Sequence, residues 1–196
     1  MIVLTDDDRV EAAVRAFGGS VRRTRPDHAS GTDRCAEAAA DLDEDVVVNV
    51  QGDEPLLAPA DLSALAAAVA GTGADIATLG WPFEQPEAMD DPHAVKAVRD
   101  EAGWALGFTR QAGRARELAG GGGTILHHVG IYAFRRERLL AFPGLARTEG
   151  EVSERLEQLR ALEHGWRLQV LDASGPAFGI DVRADYDRFL ALWAAG

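Results

Sequence analysis

The stretch Asp45-Val46-Val47-Val48-Asn49-Val50-Gln51-Gly52-Asp53-Glu54-Pro55 decides how this chain is read. Residues 45–50 are β-branched and almost continuously apolar, the pattern of a strand covered on both faces rather than one alternating between core and water. The run then breaks into Gly-Asp-Glu-Pro, residue types that turn the backbone and end a strand. Beyond the loop, Leu62, Leu65 and Val69 fall on one face of an Ala-rich helix. A covered strand, a polar loop and a helix are the repeating unit of a doubly wound α/β sheet.

The same alternation extends towards the N-terminus. Residues 2–4 are a short apolar run ended by Thr5-Asp6-Asp7-Asp8, followed by a helix over 8–17 that Gly18-Gly19 stops. A second short strand covers 20–23, residues 25–31 are turn-rich, and a helix over 31–42 carries Cys35. Towards the C-terminus the character changes. Residues 74–81, 94–99, 104–110 and 125–134 read as strands with no long helix between them, a strand-rich arm at about 94–136 on a single domain covering 1–196. The glycines 120–123 join two of these strands as a linker, since no Lys-Ser/Thr follows to make a phosphate loop. One long helix over 151–164 closes at Gly165, a strand covers 167–171, and a last helix covers 183–193.

Composition bounds the function classes. The chain has 196 residues, 46% hydrophobic and 27% charged, with a net charge of -12. Such an acidic surface argues against a nucleic-acid partner, whose phosphates need a basic face. It leaves open a small anionic substrate held by a local donor cluster. No segment reaches the roughly 18–20 apolar residues of a membrane span. The acidic opening MIVLTDDD has no signal-peptide character, so the expected compartment is the cytoplasm. The single cysteine, Cys35, lies in an apolar helical pattern and is expected as a buried structural thiol.

Two carboxylates stand where chemistry is expected. In an open α/β sheet ligands sit beyond the carboxyl ends of the strands. Asp53 occupies that place after the strongest strand, with Gly52 leaving room for close approach. A hard cation such as Mg²⁺ binds through one or two carboxylates plus substrate phosphates, which makes Asp53 the first metal-ligand candidate. An exposed acidic turn fits the same residues. Asp181, in Gly179-Ile180-Asp181-Val182, is the second candidate; a helix N-cap is its alternative.

Longer motifs narrow the choice. Residues 24–34, Thr-Arg-Pro-Asp-His-Ala-Ser-Gly-Thr-Asp-Arg, together with Asn49-Val50-Gln51-Gly52-Asp53-Glu54-Pro55, resemble two signature stretches of the CMP-Kdo synthetases (3-deoxy-manno-octulosonate cytidylyltransferases). Ala94-Val95-Lys96, His128-Val129-Gly130-Ile131-Tyr132, Leu156-Glu157-Gln158-Leu159-Arg160 and Gly179-Ile180-Asp181 follow in the family's order, so the resemblance spans nearly the whole chain. It implies a nucleotidyltransferase-type, GT-A-like mixed sheet and the transfer of CMP from CTP to Kdo for lipopolysaccharide synthesis, with release of pyrophosphate. It also implies a homodimer, with the middle strands contributing to the contact. By the same resemblance Asp53 and Asp181 hold Mg²⁺ and are the catalytic pair. Gln51, His128, Tyr132, Glu157 and Gln158 surround the sugar. Ser30 and Gly31 lie against the cytidine, and Arg25 and Arg34 are nearby cations. His127 falls outside the motif and reads as filler, while Tyr132 could equally be an aromatic packed on a strand.

Two departures from the family pattern matter. Family members open with a strand and a basic phosphate loop; here about 40–45 residues of that kind are missing, counted as one strand, loop and helix. The absent strand is expected between those at residues 2–4 and 45–50, so its loss leaves backbone groups unpaired at about 1–3 kcal/mol each. A fragment or a non-catalytic remnant is therefore one alternative. After Arg110 the sequence Gln111-Ala112-Gly113-Arg114-Ala115-Arg116 lacks the proline-containing segment of the family. Another ulosonic acid, an 8-amino-Kdo or a sialic-acid-like sugar, is thus the alternative acceptor.

Overall fold

The structure, a computed structural model, describes residues 1–176, 178–180 and 182–195. The chain runs β1 (Val3–Thr5), α1 (Asp8–Ala16), β2 (Val21–Arg23), α2 (Gly31–Ala39), β3 (Val46–Asn49), α3 (Pro59–Gly71) and β4 (Ile76–Trp81). It continues through β5 (Lys96–Arg99), β6 (Ala105–Thr109), α4 (Ala112–Ala119), β7 (Thr124–Arg135) and α5 (Arg136–Ala141). It closes with α6 (Glu149–Glu154), α7 (Gln158–Glu163), β8 (Leu168–Asp172) and α8 (Arg183–Ala195).

Six strands form one mixed sheet in the order β6-β5-β7-β4-β8, with β3 joined to β7. β4 and β8 are parallel, and β7 runs antiparallel to β3, β4 and β5. The period-2 geometry of β4 sends Ile76 to one face and Ala77 and Leu79 to the other, each no more than 1% exposed. One core gathers Ile76, Phe134, Leu139 and Leu159 with Ala36 and Ala39 of α2. The opposite core sets Leu65 and Val69 of α3 against Ala77, Leu79, Ile131 and Ala133. The expected apolar face of α3 is therefore the one that covers the sheet.

β3 packs on both faces, Val47 against the first core and Val46 and Val48 against the second. Its only strand partner among the described residues is β7. Among the described residues β1 pairs only with β2, in parallel, as a separate two-stranded sheet, and no backbone pairing joins β1 to β3.

Two expectations need correction. The long helix over 151–164 is two short helices, α6 and α7, because Arg155 turns into the left-handed region at φ 55°. Tertiary bonds fix that break: Glu154 accepts from Thr109 Oγ1 at 2.7 Å and from the Arg110 backbone N–H at 2.8 Å. The strand-rich arm also contains a helix, α4, which buries Ala115 and lies where the sequence departs from the family pattern. Cys35 is half-buried beside the first core, and burial pushes its thiol up to about 11, out of nucleophile range.

Candidate active site

Pairing along β7 leaves a notch in the sheet. On one edge β3 pairs with residues 132–135, ending at Asn49 opposite Tyr132. On the same edge β5 pairs with 124–127, beginning at Lys96 opposite His127. Residues 129–131 pair with neither strand, and their register against β4 also shifts between Thr78 and Leu79. The carboxyl end of β3 and the irregular middle of β7 therefore meet at one place. Lys96, wholly buried, holds the notch's other side: its ammonium donates to the carbonyls of Asp91, Ala94 and Arg110 at 2.6, 2.7 and 2.8 Å.

A ladder of polar side chains crosses this place. Gln51 Nε2 donates to Asn49 Oδ1 at 3.3 Å, Asn49 Nδ2 to Thr32 Oγ1 at 3.3 Å, and the Thr32 hydroxyl to Glu157 Oε1 at 2.6 Å. Every proton points towards the Glu157 carboxylate, so each bond polarises the next. Gly31 allows the ladder to form: a Cβ there would come within 3.1 Å of Gln51 Oε1. The ladder ends on Glu157, whose Oε2, like Nε2 of the next residue Gln158, is buried with no hydrogen-bond partner among the described residues. Such atoms cost roughly 1–3 kcal/mol each unless something binds them.

Aromatic groups form the adjoining wall. His128 packs between Phe108 and Tyr132, at ring-centroid distances of 5.2 and 5.5 Å. Burial, with His127 next to it, lowers the His128 imidazole to about 3 and keeps it neutral. Burial and the Glu157 charge push the Tyr132 phenol well above its usual range, so it stays protonated. Tyr132 also packs in the core with Phe134, which makes packing and site the same position. His127 lies outside this wall, stacked on Phe83 at 5.3 Å.

The other expected residues sit around the ladder rather than in it. Ser30 caps α2: its hydroxyl accepts from Asp33 N at 3.2 Å and donates to Asp33 Oδ2 at 2.9 Å. Arg25 pairs with Glu37 at 3.1 Å and Arg34 with Asp6 at 3.1 Å, so neither guanidinium bonds to the ladder. Asp53 is exposed in the turn closed by Glu54 N–H to Gln51 O at 3.2 Å. The N–H of Ile180 donates to the Asp53 backbone carbonyl at 2.9 Å. Asp181 itself lies outside the described residues. Among those described, no group of three or more His, Cys, Asp or Glu could hold a metal by itself. A site of one or two carboxylates completed by substrate oxygens fits the exposed Asp53 and the docking of residue 180 beside it.

Three contributors escaped sequence reasoning. Thr32 and Asn49 lie inside the quoted motifs, buried at 1% and 3% exposure, and a polar residue on a helix or strand face aimed at the core was their signal. Arg160 is the third. It donates to both Glu151 oxygens at 2.9 and 2.6 Å, with both residues 3% exposed, and its guanidinium lies 4.5 Å over the Phe142 ring. That pair fastens α6 to α7 across the break and so places Glu157 and Gln158.

The mixed sheet is the fold of known nucleotidyltransferases, the class to which its relatives assign this chain. A nucleotidyl transferase from Methanothermobacter thermautotroptrophicus has the same fold at a TM-score of 0.62 and 20% identity, over 99% of this chain and 73% of its own. The cytidylyltransferase family model matches residues 1–169. The 3-deoxy-manno-octulosonate cytidylyltransferase of Geobacter metallireducens is 43% identical, over 96% of this chain and 78% of its own length. The enzyme so named from Methylorubrum populi is 44% identical, over 99% and 80%. A CMP:2-keto-3-deoxy-manno-octonic acid synthetase solved with CTP superposes at a TM-score of 0.87 with 36% identity, over 99% of this chain and 80% of that one. The chain belongs to the 3-deoxy-manno-octulosonate cytidylyltransferase family and is shorter than the relatives it matches.

Proposed function

We propose that this chain transfers CMP from CTP to Kdo and releases pyrophosphate, with Mg²⁺ held by Asp53 and Asp181. The observation that carries the reading is the pair of buried atoms, Glu157 Oε2 and Gln158 Nε2, with no hydrogen-bond partner among the described residues; the Glu157 charge also acts on the Tyr132 phenol. Oε2 accepts a proton and Nε2 donates one, which suits a polyhydroxylated acid offering both O–H donors and carboxylate oxygens. The names of the relatives supply the particular acid. In the reaction the anomeric hydroxyl oxygen of Kdo bonds to the α-phosphorus of CTP. The α-phosphorus–oxygen bond to the β-phosphate breaks, pyrophosphate leaves, and the hydroxyl proton is released.

This chemistry asks a protein mainly for positioning and charge neutralisation. Gln51, His128, Tyr132, Glu157 and Gln158 orient the sugar, and the ladder fixes the position of the Glu157 carboxylate. Ser30 and Gly31, at the start of α2, lie against the cytidine, with Arg25 and Arg34 as the nearest cations. Bound Mg²⁺ supplies charge neutralisation at the phosphate and a lowered pKa for the attacking hydroxyl. The active form is a homodimer, and the product enters lipopolysaccharide synthesis. The described helices include none long and apolar enough to cross a membrane.

The test is pyrophosphate release by the 196-residue chain with CTP, Kdo and Mg²⁺. Release that requires all three supports the reading, and Asp53→Asn should then lower kcat by roughly 100-fold or more. No release from folded protein would sink it. Release with another 2-ulosonic acid but not with Kdo keeps cytidylyl transfer and moves the acceptor.

A further inference from the structure

Thr78 lies in the middle of β4 with no exposure, in a strand otherwise lined with apolar side chains. A hydroxyl buried among apolar groups is costly unless its bonds are made. Its Oγ1 lies 2.7 Å from the Ile131 carbonyl, 3.3 Å from the Val129 carbonyl and 2.9 Å from His128 Nε2. The hydroxyl has one proton, and carbonyl oxygens can only accept. If Thr78 gave that proton to His128, its oxygen would face the Ile131 oxygen at 2.7 Å with no proton between them. Donation to Ile131 removes that repulsion and leaves a lone pair directed at the imidazole. Nε2 then carries the ring proton, and Nδ1, which makes no hydrogen bond among the described residues, is a bare acceptor.

We infer that Thr78 is a positioning residue that fixes the tautomer of His128, so that Nδ1 accepts a hydrogen bond from a sugar hydroxyl. The placement of the sugar at His128 rests on the proposed function; the tautomer does not. The shift of register at Thr78 and Leu79 puts the two carbonyls and the ring around one hydroxyl, which a regular ladder would not do. Burial keeps the imidazole neutral, so one ring nitrogen remains an acceptor throughout the working pH range. A group bonded to one ring nitrogen of a histidine commonly sets the tautomer and so the role of the other.

The first measurement is nitrogen-15 NMR of the imidazoles in the unliganded protein, with His128 assigned by its loss in His128→Asn. The expected pattern is a protonated Nε2 and an unprotonated Nδ1. The opposite tautomer overturns the inference whatever the substrate proves to be. The second measurement compares Thr78→Val with Thr78→Ser. Valine keeps the shape and should shift the tautomer pattern and raise KM for Kdo roughly tenfold, the worth of one hydrogen bond, with little change in kcat. Serine should restore both. A folded valine variant with unchanged tautomer and KM also overturns the inference. If the valine variant fails to fold, the parent spectrum and the serine variant decide. The predicted tautomer without turnover of Kdo retains Thr78's role and removes the Kdo reading.

Discussion

The two-stranded lobe and the β3-α3-β4 unit of the six-stranded sheet are written in the same strand-loop-helix pattern, yet different forces hold them. In the large sheet Ile76, Ala77, Leu79, Val98, Ile131 and Ala133 are each no more than 1% exposed. In the lobe formed by β1, α1 and β2, Val14 is the only buried apolar side chain, while Ile2, Val10 and Phe17 stay exposed. Arginines attach the lobe to α2 instead. Arg22 donates to the Ala38 carbonyl at 2.7 Å and pairs with Asp41, and Arg34 reaches back to Asp6 and Thr24. Hydrophobic burial scales with area removed from water, whereas exposed ion pairs contribute about 0–1 kcal/mol. Correct local pattern thus makes an element; it is long-range burial that gives the element a stable place.

That contrast can be broken at several strengths. The largest effect is expected around α6 and α7, where Leu156 and Leu159 pack into one core of the large sheet. Arg160→Met leaves Glu151 buried without its main partner and should cost about 3–5 kcal/mol by urea denaturation. Replacing Glu151 and Arg160 together with Met should recover most of that loss, because no uncompensated charge remains. An Arg160→Met chain as stable as the parent would contradict the view that this pair fastens α6 to α7.

Acid probes the large sheet next. Folded His128 titrates at about 3, against 6.5 for an ordinary histidine. Between those values the unfolded chain binds a proton that the folded chain does not. Stability should therefore fall as pH drops below about 6.5, with His128 contributing about 2 kcal/mol of loss by pH 5. In His128→Asn the slope over that interval should be shallower, measured by denaturant midpoints at successive pH values.

The smallest effect belongs to the lobe. Arg34→Ala removes the bonds to Asp6 and Thr24 and should cost about 1–2 kcal/mol. Amide exchange should show where: faster in β1 and β2, unchanged in β4 and β7. Uniform acceleration across the protein would mean that the lobe and the sheet unfold as one unit.

Much of the candidate site was legible because its residues sit in short contiguous motifs. Gln51 and Asp53 follow β3, and His128 and Tyr132 lie on a strand whose apolar pattern was plain. Thr148 caps α6, accepting from Glu151 N at 3.3 Å, so that helix starts before residue 151. The break after α6 had no mark in the sequence. Arg155 adopts a left-handed conformation that favours glycine, and nothing beside it in sequence asks for that. Glu154, held by residues 109 and 110, imposes it from more than forty positions away. The helix α4 was missed because its glycine and short length weaken the periodic signal.

By itself the sequence determined the α/β class, most element positions, the family resemblance and the carboxylate of the strand-end loop. All of these rest on local periodicity, turn chemistry and contiguous motifs, which neighbouring residues fix. Only the tertiary structure decided the notch in β7, the ladder from Gln51 to Glu157, the broken helix that presents Glu157 and Gln158, and the contact of Thr78 with His128. Each depends on groups distant in the chain meeting within hydrogen-bond reach. Such meetings are selected by burial and polar satisfaction across the whole fold, and no local pattern records them.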